Sequence, residues 1–309
     1  MGTMALRGVN KEESNMIEHT RWMAVVVVMM LLCGAAPAQQ VQMLESNLGN
    51  EAPAFEEGMT PSGLGWGADD HAYPDRFVVY PQDGSELVWV PAGEFMRGST
   101  DDDEDAPRGE KPARRVRITQ GFWLAKHAVT NAQYRAFCEA TRREFPARSH
   151  QGDDHPVVFV SWDDAVAYTE HYGLSLPTEA QWEYAARGPE SLKYPWGNEW
   201  DGSKLCWGEN QGPDGRTFPV GSFPQGASWV GALDMVGNVS EWCADWHHPN
   251  YYARSQADDP SGPSEGAIRV LRGGAWNRIA SNCRAAARNG FAPDRTRDFL
   301  GFRVVRSFR

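Results

Sequence analysis

Tryptophan, glycine and proline constrain the fold of this 309-residue chain more than any other feature of its sequence. The chain contains 13 Trp, 31 Gly and 20 Pro. Tryptophan side chains bury large areas, whereas glycine and proline interrupt helices and strands. The combination predicts a compact fold with much irregular backbone and argues against a helix bundle. The length allows one large domain or two small ones.

Charge narrows the classes of partner. The formal net charge is −11, whereas a protein that binds nucleic acid needs a basic surface for the phosphates. We therefore exclude a nucleic-acid partner. Part of the acidity lies in residues 101–105, which read DDDED. We interpret this run as a solvated loop, because no metal-ligand spacing accompanies it.

The N-terminal part of the chain predicts export. Residues 23–33 form an apolar run of 11 residues, about half the length of a helix that spans a bilayer. Arg21 precedes the run, and Ala36 and Ala38 form an A-x-A cleavage site after it. We predict a signal peptide over residues 1–38, cleaved near Ala38. The mature protein is then secreted or periplasmic and has no transmembrane anchor.

The cysteine spacing leaves the disulfides open. Cleavage removes Cys33, and an oxidising compartment permits disulfides among the four cysteines that remain. Three pairings are possible, and the sequence does not choose between them. No C-x-x-C motif indicates a zinc ribbon or a thioredoxin-type site. The four remaining cysteines are Cys138, Cys206, Cys243 and Cys283.

Hydrophobic patterning predicts one α+β domain over residues 84–309, preceded by a flexible lead-in over residues 39–83. Residues 86–90 and 115–119 alternate as strands do. Three helices are expected in the first half of the domain, each after a residue suited to N-capping. The second half is expected to be rich in loops. The predicted N-caps are Thr130, Ser161 and Thr178.

Eight motifs follow one another in an order typical of a known family. They are residues 93–99 (GEFMRGS), 129–137 (VTNAQYRAF), 160–165 (VSWDDA), 176–188 (LPTEAQWEYAARG), 194–197 (YPWG), 234–242 (DMVGNVSEW), 272–276 (RGGAW) and 301–303 (GFR). Together they resemble the formylglycine-generating enzyme, or sulfatase-modifying factor, family. The resemblance implies the formylglycine-generating-enzyme fold, which is related to C-type lectin-like folds and rich in irregular loops.

The resemblance implies a catalytic site that this chain does not complete. The family's enzymes oxidise a sulfatase cysteine to formylglycine with two cysteines that hold copper, and soft thiolates suit Cu(I). Here Arg278 occupies the first cysteine position, Cys283 the second, and Ala275 replaces the serine before the pair. One thiol cannot form this site, so copper is not expected and no catalytic residue is assigned. Cys283 is expected to be a buried thiol or half of a disulfide.

Residues 282–288 (NCRAAAR) instead resemble family members without the cysteine pair, which include pyoverdine-maturation proteins and retroelement-diversified binding proteins. The fold therefore leaves the function open. We expect a maturation or modification factor for an extracytoplasmic protein or peptide. The alternative is a non-catalytic binding or scaffold domain for a peptide or glycan. An authentic formylglycine-generating oxidoreductase ranks third.

The resemblance also implies calcium, which prefers carboxylate, amide and backbone oxygens. The family's calcium loop maps onto two side chains and two backbone carbonyl groups, which belong to Asp234, Glu241, Gly237 and Val239. The alternative is that the two carboxylates only cap turns beside Trp242. A second calcium site would use Asn210 and Asp214.

Overall fold

A computed structural model gives the fold. The residues that it describes are 60–61, 77–149 and 151–307. Contacts within the chain separate Met1–Glu51 from Ala52–Arg309, and all described residues belong to the second unit. The predicted signal peptide, residues 1–38, lies outside the described residues, as does most of the predicted lead-in over residues 39–83.

The described strands are short and form three sheets. In chain order they are β1 (Thr60–Pro61), β2 (Phe77–Val79), β3 (Glu86–Val90), β4 (Gly93–Arg97), β5 (Arg114–Ile118), β6 (Phe122–Ala125), β7 (Ser240–Trp246), β8 (Arg269–Arg272), β9 (Arg288–Phe291), β10 (Leu300–Gly301) and β11 (Val305–Ser307). The strand predicted over residues 86–90 is confirmed, and the strand predicted over residues 115–119 lies one residue earlier.

The largest sheet has the order β1-β2-β3-β6-β11, and all its neighbouring strands are antiparallel. The four-stranded sheet has the order β10-β7-β8-β9, and only β10 and β7 run parallel in it. β4 and β5 form a separate antiparallel pair. β11, the last described strand, therefore lies at one edge of the sheet that also contains the first three strands.

Three α-helices lie in the first half of the domain: α1 (Asn131–Thr141), α2 (Trp162–His171) and α3 (Glu179–Arg187). Each begins after its predicted N-cap, whose hydroxyl accepts a backbone N–H three residues on. The side chain of that third residue accepts the N–H of the N-cap in return. This capping box satisfies backbone donors that the helix itself leaves free. In the described part of the chain, no helix has the length and apolar character needed to cross a membrane.

Aromatic side chains join α1 to α2 and to the end of the chain. Tyr134 of α1 and Tyr168 of α2 stack with ring centroids 5.9 Å apart. Phe302 meets Tyr168 edge-on at 5.3 Å. Such pairs contribute about 0.5–1.5 kcal/mol beyond their buried area. The mixture of helices, short sheets and long irregular segments confirms the predicted α+β class.

Candidate functional site

A buried cluster of charges lies beneath the region that the sequence marks as the site. Glu179 and Glu183 project from α3, and both are fully buried. Arg97 of β4 donates to Glu179 at 2.6 Å, and Arg288 of β9 approaches the same carboxylate at 2.7 Å. Arg272, the last residue of β8, donates to Glu183 at 2.6 Å. These pairs fasten α3 to three strands at once.

The cluster contains more guanidinium groups than carboxylates. Arg187 also binds Glu183, at 2.8 Å. Four arginines therefore surround two glutamates, and one further buried acid, Asp245 of β7, accepts the backbone N–H of Glu179 at 2.8 Å. Burial alone would raise the pKa of Glu179, but Arg288, Arg97 and Arg272 hold it well below its usual value. The four arginines are Arg97, Arg187, Arg272 and Arg288.

Asp245 behaves in the opposite way. Burial raises the pKa of this carboxyl to about 7, and the negative charge of Glu179 adds to the rise. A charged group buried without full compensation is costly, so its neutral form is favoured. The cluster therefore carries excess positive charge at neutral pH and below.

The loop after β8 turns sharply over this cluster. Gly273 and Gly274 have φ angles of 94° and 71°, in the left-handed region that favours glycine. A Cβ atom on Gly274 would lie 2.8 Å from the Cys283 sulfur and 2.7 Å from the carbonyl oxygen of Asn282. The glycine is therefore required where the loop folds back onto Cys283.

Cys283 is a buried thiol. Its relative exposure is 0%, and burial raises its pKa to about 12, although the Ala275 backbone N–H acts in the opposite direction. Only the thiolate is a strong nucleophile and metal ligand. All four cysteines of the described region are free. The buried-thiol alternative for Cys283 is thus the one that the structure shows, and no disulfide pairing forms.

Arg278 lies at the edge of the same loop. Its guanidinium group is 4.5 Å from the centre of the Phe299 ring, a distance typical of a cation–π contact. Its backbone carbonyl accepts the N–H of Gly208, which ties two loops together. Within the described residues, no carboxylate lies within ion-pairing distance of the Arg278 side chain.

A small pocket opens beside Arg278. Its volume is about 30 Å³, which is room for roughly one water molecule. Cys283 does not line it. The lining residues are Ser240, Leu271, Arg272, Gly274, Arg278, Asn282, Ala287, Arg288 and Asn289.

The predicted calcium loop brings two acids into one region. Asp234 is buried and accepts the Gly221 N–H through Oδ2 at 2.7 Å. Burial raises its pKa to about 6, and the charge of Glu241 contributes to the rise. Asp234 therefore has no cation that fully compensates its charge, which is the environment that a calcium ion would relieve.

Glu241 already has strong donors. Arg303 approaches both of its oxygens, at 2.6 and 2.8 Å, and the indole N–H of Trp182 donates at 2.7 Å. These three donors occupy three of about four acceptor positions on the carboxylate. One acceptor position of Glu241 remains, and calcium at Asp234, Gly237, Val239 and Glu241 stays a prediction.

The second calcium site has weaker support from the geometry. The Asn210 side chain donates to the backbone carbonyls of Leu205 and Gly202, at 2.9 and 3.3 Å. Asp214 is exposed on the same loop. No group of three or more His, Cys, Asp or Glu side chains suited to a metal ion exists in the described ranges.

A larger opening is lined in part by the acidic run of residues 101–105. This cleft, of about 740 Å³, is lined by Met96, Gly98, Ser99, Thr100, Asp102, Asp103, Glu104, Asp105, Ala113, Arg187, Ser191, Lys193, Asn198, Arg284 and Ala286. Most of residues 101–105 are exposed here, as a solvated loop would be. Asp103 is the exception, because it is paired with Arg284 at 3.3 Å.

Comparison with known proteins decides the family. Residues 76–308 match the family of the sulfatase-modifying factor enzyme 1-like domain. The chain belongs to this family. The formylglycine-generating enzyme of Streptomyces coelicolor is 37% identical, and the match covers 73% of this chain and 90% of that enzyme.

Other relatives show how widely the sulfatase-modifying factor domain is used. The serine/threonine-protein kinase Pkn1 of Chlamydia trachomatis is 35% identical, and the match covers 73% of this chain but 39% of the kinase. The solved structure of PvdO from Pseudomonas aeruginosa is 30% identical, with a TM-score of 0.66, and the match covers 75% of this chain and 98% of PvdO.

Sequence reasoning missed the buried charge cluster of this sulfatase-modifying factor domain. Glu179, Glu183, Arg97 and Arg272 all lie in the motifs that identified the family, but no single motif shows that they meet. A usable signal existed, because these charges stand among apolar residues, and a buried charge must be paired.

Proposed function

We propose that this chain is an exported sulfatase-modifying factor family protein that binds an extracytoplasmic protein or peptide as its maturation factor. It does not generate formylglycine by the copper-dependent route. The signal-peptide pattern of residues 1–38 supports export. The burial of Cys283 is the observation that carries the proposed lack of this activity.

The chemistry of the loop after β8 supports this proposal. The copper route needs two accessible thiolates, whereas Cys283 is buried and holds its proton because its pKa is raised to about 12. Arg278 stands at the first cysteine position, where the other thiolate is required. Its permanent positive charge would repel a cuprous ion.

A non-catalytic binding domain is the second candidate, and the cleft beside residues 101–105 favours it. The cleft is large enough to hold several side chains of a peptide. Its lining contains charged, hydroxyl and amide groups but no cysteine and no histidine. The cleft therefore offers charged and hydrogen-bonding contacts for a ligand.

A peptide mass assay tests the lack of activity. The chain from Gln39 onward is incubated with a sulfatase-type cysteine peptide, with and without copper, beside the Streptomyces coelicolor formylglycine-generating enzyme as positive control. We expect no conversion by this chain. Turnover that is lost in Cys283→Ser but kept in Cys138→Ser would overturn the proposal, because both variants remove one buried thiol.

Export has its own test. Intact-mass measurement of protein recovered outside the cytoplasm is expected to show a chain that begins near Gln39. A soluble cytoplasmic protein that retains residues 1–38 would contradict export.

A further inference from the structure

We propose that the pocket beside Arg278 binds a carboxylate group of the peptide that this protein recognises. The inference rests on the proposed peptide-binding function and deepens it, since it names the chemical group that is read. We call the pocket, lined by Ser240, Arg278, Asn282, Arg288 and Asn289 among others, the Arg278 pocket.

All charged residues that line the Arg278 pocket are basic. Three of its nine residues are arginines, and none is an aspartate or glutamate. The chain as a whole has a net charge of −11, so a basic pocket free of acids runs against its composition. The three arginines are Arg272, Arg278 and Arg288.

Arginines on the floor and at the rim of the pocket have different roles. Arg272 and Arg288 are buried and paired with Glu183 and Glu179. Arg278 is half-buried and rests on the Phe299 ring with no carboxylate partner in the described structure. A ring face holds a guanidinium group in place but leaves its N–H donors free. The Arg278 donors are therefore available for a ligand.

Amide donors stand beside this guanidinium. The Asn282 side chain is exposed and makes no hydrogen bond to another described residue. Asn289 accepts the Gly290 N–H through Oδ1 at 2.8 Å, which leaves its NH₂ group free to donate. The pocket thus offers one forked cation and two neutral donors, the groups that bind a carboxylate.

The charge cluster behind the pocket favours the same sign of ligand. Four guanidinium groups there face Glu179, Glu183 and Asp245, and the raised pKa of Asp245 leaves that acid partly neutral at pH 7. The excess positive charge is buried, where screening by water is weak. An anion in the Arg278 pocket would lie against this charge.

Pocket size limits the anion. A volume of about 30 Å³ holds roughly one water molecule, so the oxygens of an end group can enter but a whole peptide cannot. Ile279, next to Arg278, is 66% exposed and provides an apolar contact outside the pocket. A peptide with an apolar residue near its carboxylate fits this arrangement.

Bromide tests the pocket without knowledge of the partner. Crystals of the mature chain grown in bromide should show an anomalous peak within hydrogen-bonding distance of Arg278. The peak should vanish in Arg278→Gln. It should persist in Arg115→Gln, because Arg115 is 73% exposed on β5 and its loss changes the net charge equally. Absence of a wild-type peak at Arg278, or a peak that survives Arg278→Gln, would overturn the inference.

Defined peptides then separate the two sources of a carboxylate. Three alanine-based peptides are compared by nuclear magnetic resonance: one with a free C-terminus, one amidated, and one amidated with an internal Asp. The side-chain amide signals of Asn282 and Asn289 report binding. We expect shifts only with the free C-terminus or the internal Asp, and about a tenfold loss of affinity in Arg278→Gln.

The outcomes keep the two proposals distinguishable. Peptide binding that is equal for the acidic and amidated peptides would overturn carboxylate recognition but leave the proposed peptide-binding function standing. Bromide at Arg278 with no response to any carboxylate peptide would mean an adventitious ion only, and would also overturn the inference. Formylglycine turnover would contradict the proposed function without removing the pocket.

Discussion

The helical half of the domain and its loop-rich half are stabilised in different ways. Within residues 131–187, three helices satisfy most of their own backbone groups, and each helix starts with a capping box. Much of residues 202–307 has no helix or sheet partner for its carbonyl groups. Backbone N–H groups of the loops serve many of these carbonyls. Buried arginines serve others, since Arg272 donates to the carbonyls of residues 285–287 and Arg303 to that of residue 233. Arg303 also donates to the carbonyls of residues 125 and 126.

The difference shows how irregular backbone can be buried. A carbonyl without a partner costs free energy in the interior, so it must meet a donor. A guanidinium group carries five donors, and one arginine can serve several carbonyls and a carboxylate at once. The loop-rich half therefore adds a few multivalent side chains to its backbone hydrogen bonds, whereas the helical half depends mainly on local hydrogen bonds.

Removal of Arg303 is expected to have the largest effect. Arg303→Ala would leave Glu241 buried without its ion partner and remove the guanidinium donors of three carbonyls, at a cost of about 3–5 kcal/mol in the free energy of unfolding. Urea denaturation measures it. Arg115→Ala, which removes an exposed pair with Glu94, should cost less than about 1 kcal/mol. Similar losses in the two variants would show that buried arginines have no special role.

Asp245 tests whether the two halves are independent, because it lies on β7 and binds the first N–H of α3. Its pKa is raised to about 7 in the folded state, from about 3.9 in the unfolded chain. The folded state then holds the proton more tightly, so the contribution of Asp245 to stability is greatest below about pH 4 and falls as the pH rises from about 4 to 7, by at most about 1.4 kcal/mol per unit.

Asp245→Asn removes this group and should flatten the fall in stability between pH 4 and pH 7. Unfolding curves at several pH values measure the slope. Asp294→Asn is the control, because Asp294 is exposed on a loop. An unchanged slope in Asp245→Asn would assign the pH dependence to other groups.

Bound calcium would further stabilise the loop-rich half, in addition to its backbone hydrogen bonds and buried arginines. If Asp234 and Glu241 hold the ion with the carbonyls of Gly237 and Val239, calcium at 100 times its dissociation constant should stabilise the fold by about 2.7 kcal/mol. Thermal unfolding in calcium and in chelator measures the effect. Asp234→Ala should abolish the response and Asp294→Ala should keep it. Identical melting of the wild type in both solutions would refute calcium binding.

A helix cap gives the smallest expected change. Thr178→Ala removes the hydroxyl that accepts the Gln181 N–H at 3.1 Å, and should cost about 1 kcal/mol. Thr296→Ala, on a loop outside the helices, is the matched control for loss of a threonine side chain. If Thr178→Ala lowered the free energy of unfolding more than Arg303→Ala does, the stated difference between the two halves would be wrong.

Local signals explain what the sequence predicted well. The caps at Thr130, Ser161 and Thr178 each depend on residues three positions apart, so a single segment contains the whole motif. The family's ordered motifs predicted the fold in the same way. The presence of Arg278 where the family resemblance predicts a cysteine is equally visible in one segment.

Long-range contacts explain what the sequence could not show. Glu241 and Arg303 pair across 62 positions, and Arg97 meets Glu179 across 82. The burial of Cys283 depends on the left-handed turn at Gly274, which its own segment does not reveal. The spacing of the cysteines did not decide which disulfides form, and only the folded arrangement shows four free thiols.

The four buried thiols have a consequence for how the protein can be made and handled. No covalent cross-link closes any loop of the described fold, so its assembly requires neither a disulfide-forming catalyst nor an oxidising buffer. The thiols are also sheltered from attack by small oxidants, since reactivity follows exposure and thiolate character. Reductant should therefore leave the folded state unchanged, and the same chain can be prepared from a reducing cytoplasm and studied in an oxidising medium.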